Sequence, residues 1–197
     1  MSLADLKYLA DVKYLPETPA HDPEIEAIND EAFGPGRFVL AAYKIRQGGP
    51  HERALSFVAV DGAIVVASVR MTRIAAGAGR ALMLGPLAVR PAFKNLGIGR
   101  KLVAIALEAA AKAGAPAVML VGDEPYYGPL GFRRLPRGQI SMPRPVDPDR
   151  LLAHEIVPGA VARLAGEVCH ADQARIVRAH RRDGMTVPVL SHGGLAA

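Results

Sequence analysis

Residues 93–102 read FKNLGIGRKL, with Gly97 and Gly99 one residue apart and Lys94, Arg100 and Lys101 around them. Glycines remove Cβ obstruction, so successive backbone N–H groups at the start of a helix can face outward. Those free donors and the positive end of the helix dipole favour a phosphate-type anion. Arg100 and Lys101 would sit in the first turn, where basic side chains oppose the dipole, and this suits a segment that receives a polyanion. The plainer alternative is a tight turn into a helix, and the loop alone leaves both readings open. Two nucleotide loops fail on the residues that carry their mechanism. A dinucleotide fingerprint needs a third glycine where Leu102 stands, and a P-loop needs Lys-Ser/Thr where Arg100-Lys101 follow Gly99.

Few other residues are spaced for chemistry. The histidines at 21, 51, 154, 170, 180 and 192 form no H-x-x-x-H pair, so no metal site is expected. There is no G-x-S-x-G elbow. Cys169 and His170 are neighbours, which chance explains better than a nucleophile pair does. Asp123 and Glu124 follow the apolar run AVMLV. At the carboxyl end of a buried strand Asp123 can relay a proton, or it can cap the next helical turn.

These residues must be held by a fold. A chain of 197 residues, half hydrophobic and 22% charged, suits one globular domain. A net charge of +5 suggests an anionic partner. The arginines are scattered and aromatics are only 5%, which makes nucleic acid the weaker expectation and a phosphorylated small molecule the stronger. The single cysteine excludes an intrachain disulfide and suits the cytoplasm. No secretory block opens the chain, and no run reaches the ~18 apolar residues of a membrane span.

Along the chain, VKYLPE reads as a strand, and HDPEIEAINDEAF as a helix capped by Asp22 with Ile25, Ile28, Ala32 and Phe33 on one face. Glu24, Glu26, Asp30 and Glu31 would form its solvated side. RFVLAAYKIRQGG resumes helical spacing through Phe38, Ala42 and Ile45. Three β-rich runs, ALSFVAV, AIVVASVRMTRI and ALMLGPLAV, follow with short links, an antiparallel meander. Then come a helix with Ile98, Leu102, Ile105, Ala106 and Ala109 as its stripe, and the buried strand AVMLV. Strand, helix and buried strand make a right-handed parallel βαβ crossover. The fold class is therefore α/β: a mixed sheet in which a meander enters a crossover. Past a Pro-rich link, LLAHEIVPGAVARLAG has helical spacing, and the tail reads as a basic helix and a small strand, MTVPVL.

The stretch 84–102, LGPLAVRPAFKNLGIGRKL, followed by 118–132, VMLVGDEPYYGPLGF, resembles the acetyl-CoA-binding core of the GNAT N-acetyltransferases. The pattern GPLAV…GIG…LVGD…YY…GF is similar to that of bacterial members. This core spans about residues 81–132, and the upstream order of elements extends the likeness from 12 to 143. The resemblance implies a GNAT-type acyl-CoA N-acyltransferase fold over 1–165, with 166–197 a basic C-terminal extension packed on it. It implies that acetyl-CoA is the cosubstrate and that no metal takes part. The family's Q/R-x-x-G-x-G/A loop falls on Lys94, Asn95, Leu96, Gly97, Ile98 and Gly99. With Arg100 and Lys101, these would hold the CoA pyrophosphate through main-chain amides. Lys94 keeps the charge of the first position without a planar fork. Leu87, Ala88 and Val89 would pair with the pantetheine arm, where in the family this strand and the next splay apart. The tyrosine of Y-x-x-x-G-F, a general acid in the family, is Tyr127. Arg37 corresponds to a loop edge bordering the acceptor site and would anchor an acidic group there.

The expected activity is direct transfer of acetyl from acetyl-CoA to an amine of a small molecule or protein. Tyr127 would protonate the departing thiolate, and Asp123 is the weaker candidate for the base. The strand ALMLGPLAV has no carboxylate, where some members carry a glutamate. A non-catalytic acyl-CoA-binding module is the alternative. The terminal MTVPVL can pair across a homodimer, and RIVRAHRRDG is the segment on which nucleic-acid binding would rest.

Overall fold

The computed structural model describes residues 11–36 and 40–174. Arg37 and Phe38 lie outside these, as do MTVPVL and most of the basic tail.

Strand β1 (Val12–Pro16) leads to helix α1 (Asp22–Phe33) and the short α2 (Ala41–Arg46). Strands β2 (Phe57–Asp61), β3 (Ile64–Ala76) and β4 (Gly79–Val89) form the meander. Helix α3 (Ile98–Lys112) crosses to β5 (Ala117–Val121), and a single turn α4 (Glu124–Tyr127) follows. Strands β6 (Arg133–Arg134), β7 (Ile140–Ser141), β8 (Leu151–Glu155) and β9 (Gly166–His170) complete the sheet. Its order is β1-β2-β3-β4-β5-β8-β6, with β9 beside the far end of β3. The pairing is antiparallel except for β4 with β5 and β7 with β9. This is the mixed α/β sheet that the sequence predicts.

Alternation along the central strands divides two cores, because successive strand side chains point to opposite faces. Leu82, Leu84, Val118 and Leu120 pack with Leu102, Val103 and Ala106 of α3. Ala81, Met83, Ala117 and Met119 pack on the other side with Ile45, Leu135 and Leu164. Ile25 and Ile28 bury the inner face of α1 against Val58, Val65 and Ala88.

The parallel pairing of β4 and β5 is short, with only Leu82 opposite Val118 and Met83 opposite Met119. Beyond these, β4 continues to Val89 bonded to β3 alone, while β5 turns to β8 through Leu120 and Val121. A bulge lies where β4 departs, between Val69 and Met71 of β3 and opposite Gly85-Pro86. Proline cannot donate to a ladder, so Pro86 belongs at such an unpaired edge.

Three sequence readings are corrected. Leu151–Glu155 is a strand, not a helix. The exposed backbone edge of β5 takes five antiparallel partners there, which outweighs helical spacing in an apolar run. Val161–Arg163 is a single 3-10 turn. Asp22 opens α1 but caps nothing with its side chain, which binds arginines instead. The acids of α1 are not merely solvated: Glu24 accepts from the Val65 N–H, Glu26 pairs with Arg70 and Glu31 with Arg90.

Phe132 is fully buried between Tyr127 and His154, at ring distances of 5.7 and 5.6 Å. Phe132→Ala should lower unfolding free energy by about 3–5 kcal/mol in urea denaturation, the usual cost of an aromatic cavity.

Candidate active site

The site begins where α3 starts. Asn95 and Gly97 hold positive φ angles of 64° and 80°. Gly97 is the helix N-cap, a left-handed position at which Cβ is penalised, and no side chain caps the helix. The first helical bond runs from the Lys101 N–H to the Gly97 carbonyl. Ile98 and Gly99 are buried, anchoring the turn, while Lys94, Asn95, Arg100 and Lys101 are exposed. No ion pair occupies Lys94, Arg100 or Lys101 among the described residues. The helix start thus offers amides and unneutralised cations on one surface.

Gly99 is glycine for lack of room. A Cβ there would stand 2.7 Å from the Tyr126 hydroxyl, 3.4 Å from Val89 Cγ2 and 3.8 Å from Leu87 Cδ2. Tyr126 therefore lies against the loop, with the Arg100 guanidinium 5.3 Å from its ring. Burial raises its pKa, and the Arg100 charge pulls it partly back.

Tyr127 faces elsewhere. Its ring occupies the space above Gly122 that a Cβ would fill. It meets Tyr126 edge-on at 4.7 Å and Phe132 at 5.7 Å. Burial, then the neighbouring Tyr126 and Asp123, push its pKa up to about 12, with Arg150 opposing. It lines a cleft of about 970 Å³ that opens where β4 and β5 part, walled by Leu84–Leu87 of β4, α1, α2 and residues 144–147. Leu87 borders both the cleft and Gly99, so β4 joins the loop to the cleft. Val89 packs beside it, and Ala88 turns inward to the α1 core.

Asp123 also borders the cleft, but its carboxylate lies 3.1 Å from Arg150. Its backbone carbonyl, not its side chain, receives the Tyr126 and Tyr127 N–H groups. The structure thus brings together Leu87, Asp123 and Tyr127 at the cleft, with residues 94–101 at the far end of β4. Arg37 is outside the described residues.

Asn29, Arg46, His51 and Arg70 line one wall of the cleft, with Glu17, Asp22 and Arg53 bonded behind it, and sequence reasoning missed this group. The fully buried Glu17 carboxylate accepts from Arg70 Nε at 3.0 Å and Arg53 Nη1 at 2.8 Å, and His51 Nε2 lies 2.9 Å away. Arg70 also reaches Asp22 at 2.7 Å and Glu26 at 3.0 Å. Burial pushes the Glu17 pKa up, but the hydrogen bonds and charges of His51 and Arg70 outweigh it and hold it below its ordinary 4.5. Asp22 is lowered by the Arg53 hydrogen bond against a smaller burial effect. Arg46 lines the same cleft and forms no ion pair among the described residues, and burial draws its pKa down to about 10. Asn29 is 3% exposed, and its Oδ1 has no hydrogen-bond partner. These residues lie on five separate segments, so no local motif announced them.

Among the described residues no helix is long and apolar enough to cross a membrane, and no cluster of His, Cys, Asp or Glu could hold a metal. Residues 19–132, more than half of the chain, match the sequence model of the acetyltransferase (GNAT) family. No curated protein matches. Among solved structures, the Escherichia coli GNAT family N-acetyltransferase YhbS in complex with CoA is similar, with 21% identity and a TM-score of 0.70 over 84% of this chain and 92% of that one. A Brucella melitensis GNAT family acetyltransferase in complex with acetyl-CoA is 25% identical, with a TM-score of 0.50 over 73% and 96%. The Escherichia coli ribosomal-protein-S18-alanine N-acetyltransferase is 17% identical, with a TM-score of 0.51 over 74% and 94%.

Gly99→Ala should cost about 1–3 kcal/mol through overpacking, and adding Tyr126→Phe, which removes the clashing hydroxyl, should recover most of it in urea denaturation. Glu17, with its pKa lowered on folding, stabilises the fold above pH 4.5, and that contribution is lost as pH falls toward the folded value. Melting temperature should accordingly drop below pH 4.5. Glu17→Gln should flatten that acid limb and lose about 3 kcal/mol at pH 7, because Arg53, Arg70 and His51 lose the buried charge they share.

Proposed function

The chain belongs to the acetyltransferase (GNAT) family, and from that premise we propose how it works as an acetyl-CoA-dependent N-acetyltransferase acting on a primary amine. The CoA pyrophosphate rests on the amides of the Gly97–Gly99 turn, with Lys94, Asn95 and Leu96 before it and Ile98, Arg100 and Lys101 beside it. The pantetheine arm runs along Leu87, Ala88 and Val89, adding to the edge that β4 leaves unpaired. That path ends at the parting of β4 and β5, where the thioester meets the cleft and an amine enters from the opposite side.

The neutral amine nitrogen attacks the thioester carbonyl carbon, and a backbone N–H of residues 87–89 faces the oxyanion that forms. As the oxyanion collapses, the C–S bond breaks and CoA leaves as a thiolate. Tyr127 donates its hydroxyl proton to the sulfur and regains one from solvent. The proton that the amine sheds passes to water at the cleft, with Asp123 at its rim. An ordinary thiol near pKa ~8.5 and a tyrosine near ~10 are close enough for this exchange. The burial that takes Tyr127 to about 12 also disfavours the thiolate, so the two move together and the gap does not widen by the full shift.

The observation that carries this reading is the position of Tyr127. It stands in the cleft at the split between β4 and β5, which the glycine turn reaches through Leu87. The reducing cytoplasm suits the single cysteine. One feature favours a non-catalytic acyl-CoA-binding module instead: β4 carries no carboxylate.

Acetyl-CoA at 100 times its dissociation constant should stabilise the fold by about 2.7 kcal/mol, visible as a rise in melting temperature. Tyr127→Phe should keep that rise while thiol release falls about 10²-fold. Full turnover in the variant would remove Tyr127 from the role of acid. A thermal shift with no thiol release over a broad amine panel would establish the binding module.

A further inference from the structure

The acceptor cleft holds a cation that forms no ion pair among the described residues; the Glu26 carboxylate, bound to Arg70, acts on it only from farther off. Arg46 is partly buried, and among the described residues its guanidinium reaches only the Gly85 carbonyl, at 3.4 Å, and the Tyr43 ring, at 5.7 Å. A guanidinium has five N–H donors, and leaving most of them unpaired in a desolvated site is costly. Its neighbours do not repair this. Arg70 is a second cation, already tied to Glu17, Asp22 and Glu26. The carboxylates at the cleft have other partners: Glu26 binds Arg70, Asp123 binds Arg150, and Asp147 accepts the Asp149 N–H. Arg144, on the facing segment, likewise forms no ion pair among the described residues.

A second observation points the same way from a different residue. Asn29 lines this cleft on α1, 97% removed from solvent by its 3% exposure, with its Oδ1 lacking any donor. The two orphaned groups are of opposite kind. Arg46 requires an oxyanion and Asn29 requires an N–H. One molecule with both satisfies both, and an amine acceptor supplies the N–H.

We propose that the acceptor is an amine that also bears an oxyanion, a carboxylate or a phosphate, which Arg46 binds in the cleft while Asn29 Oδ1 accepts an N–H from the same molecule. This rests on the acetyltransferase reading and names the substrate class of that site. The planar fork of Arg46 suits either anion, since both present two oxygens side by side. Arg144 stands at the mouth, where it meets the anion on entry.

The test is thiol release from acetyl-CoA with three matched sets of primary amines: amino-carboxylates, phosphorylated amines and neutral amines of the same length. The wild-type enzyme should favour one anionic set over the neutral set by about 10- to 100-fold in kcat/KM, the range of a charge-assisted contact. Whichever anionic arm leads identifies the group. Arg46→Met should collapse that ratio toward one mainly through KM, and Arg46→Lys should retain part of it. The melting-temperature rise with acetyl-CoA verifies that each variant is folded. Equal turnover of neutral and anionic amines by the wild-type enzyme, or an undiminished ratio in Arg46→Met, would overturn the inference and leave the acetyltransferase reading intact. Absence of both the acetyl-CoA shift and thiol release would instead overturn that reading.

Discussion

Two rungs of parallel pairing between β4 and β5 hold this molecule together at its centre, and their early end creates the site. Strands that part inside a sheet expose backbone donors and acceptors, which cost free energy unless something pairs with them. The outer edges of both strands stay paired. On one side β4 stays bonded to β3 across the bulge opposite Gly85-Pro86. On the other, β5 turns fully to β8. The β4 edge beyond Met83 faces the gap, where the proposed pantetheine arm would pair with it. Helix α3 is the element that makes the separation stable, because Leu102, Val103 and Ala106 pack on strands from both sides of the gap.

The cleft that results is polar on the side of α1 and β1, and its rigidity there comes from charge. Arg70 stands beside the β3 bulge and draws Glu17, Asp22 and Glu26 together. Such a network contributes little if exposed, but Glu17 is fully buried and its oxygens meet Arg53 and His51 as well. Arg70 and Arg46 line the same cleft, one paired with three carboxylates and one with none among the described residues. That asymmetry separates the arginine that builds the wall from the one that faces the contents.

What was legible in the sequence was local. The meander showed in three β-rich runs with short links, and the crossover in the stripe Ile98, Leu102 and Ala106 ahead of an apolar run. The glycine turn stood inside that crossover and Tyr127 just after it, so their neighbourhood was legible too. Leu151–Glu155 was not, because a short apolar run takes whichever form its surroundings complete, and the surroundings here were the open edge of β5. Asp22 carried a capping signal, yet Arg53 and Arg70 claimed its carboxylate. Glu17, Asn29, Arg46, His51 and Arg70 are ordinary surface types at unrelated positions, and only the folding of α1 and α2 over β3 and β4 assembles them.

The adjacent tyrosines show how one helical turn divides labour. Successive residues on a helix point about 100° apart, so Tyr126 and Tyr127 cannot face the same space. Asp123 begins that turn with its carbonyl, which receives both tyrosine N–H groups and sets their directions. Tyr126 is sent toward α3, where its hydroxyl occupies the room that Gly99 lacks and its ring faces Arg100. Tyr127 is sent over Gly122 into the parted strands. Glycine at 99 and at 122 is therefore one requirement expressed twice: each supplies the absent Cβ that its tyrosine needs. The turn proposed to hold a cofactor's phosphates and the hydroxyl proposed to protonate its sulfur are in this way set by the same four residues.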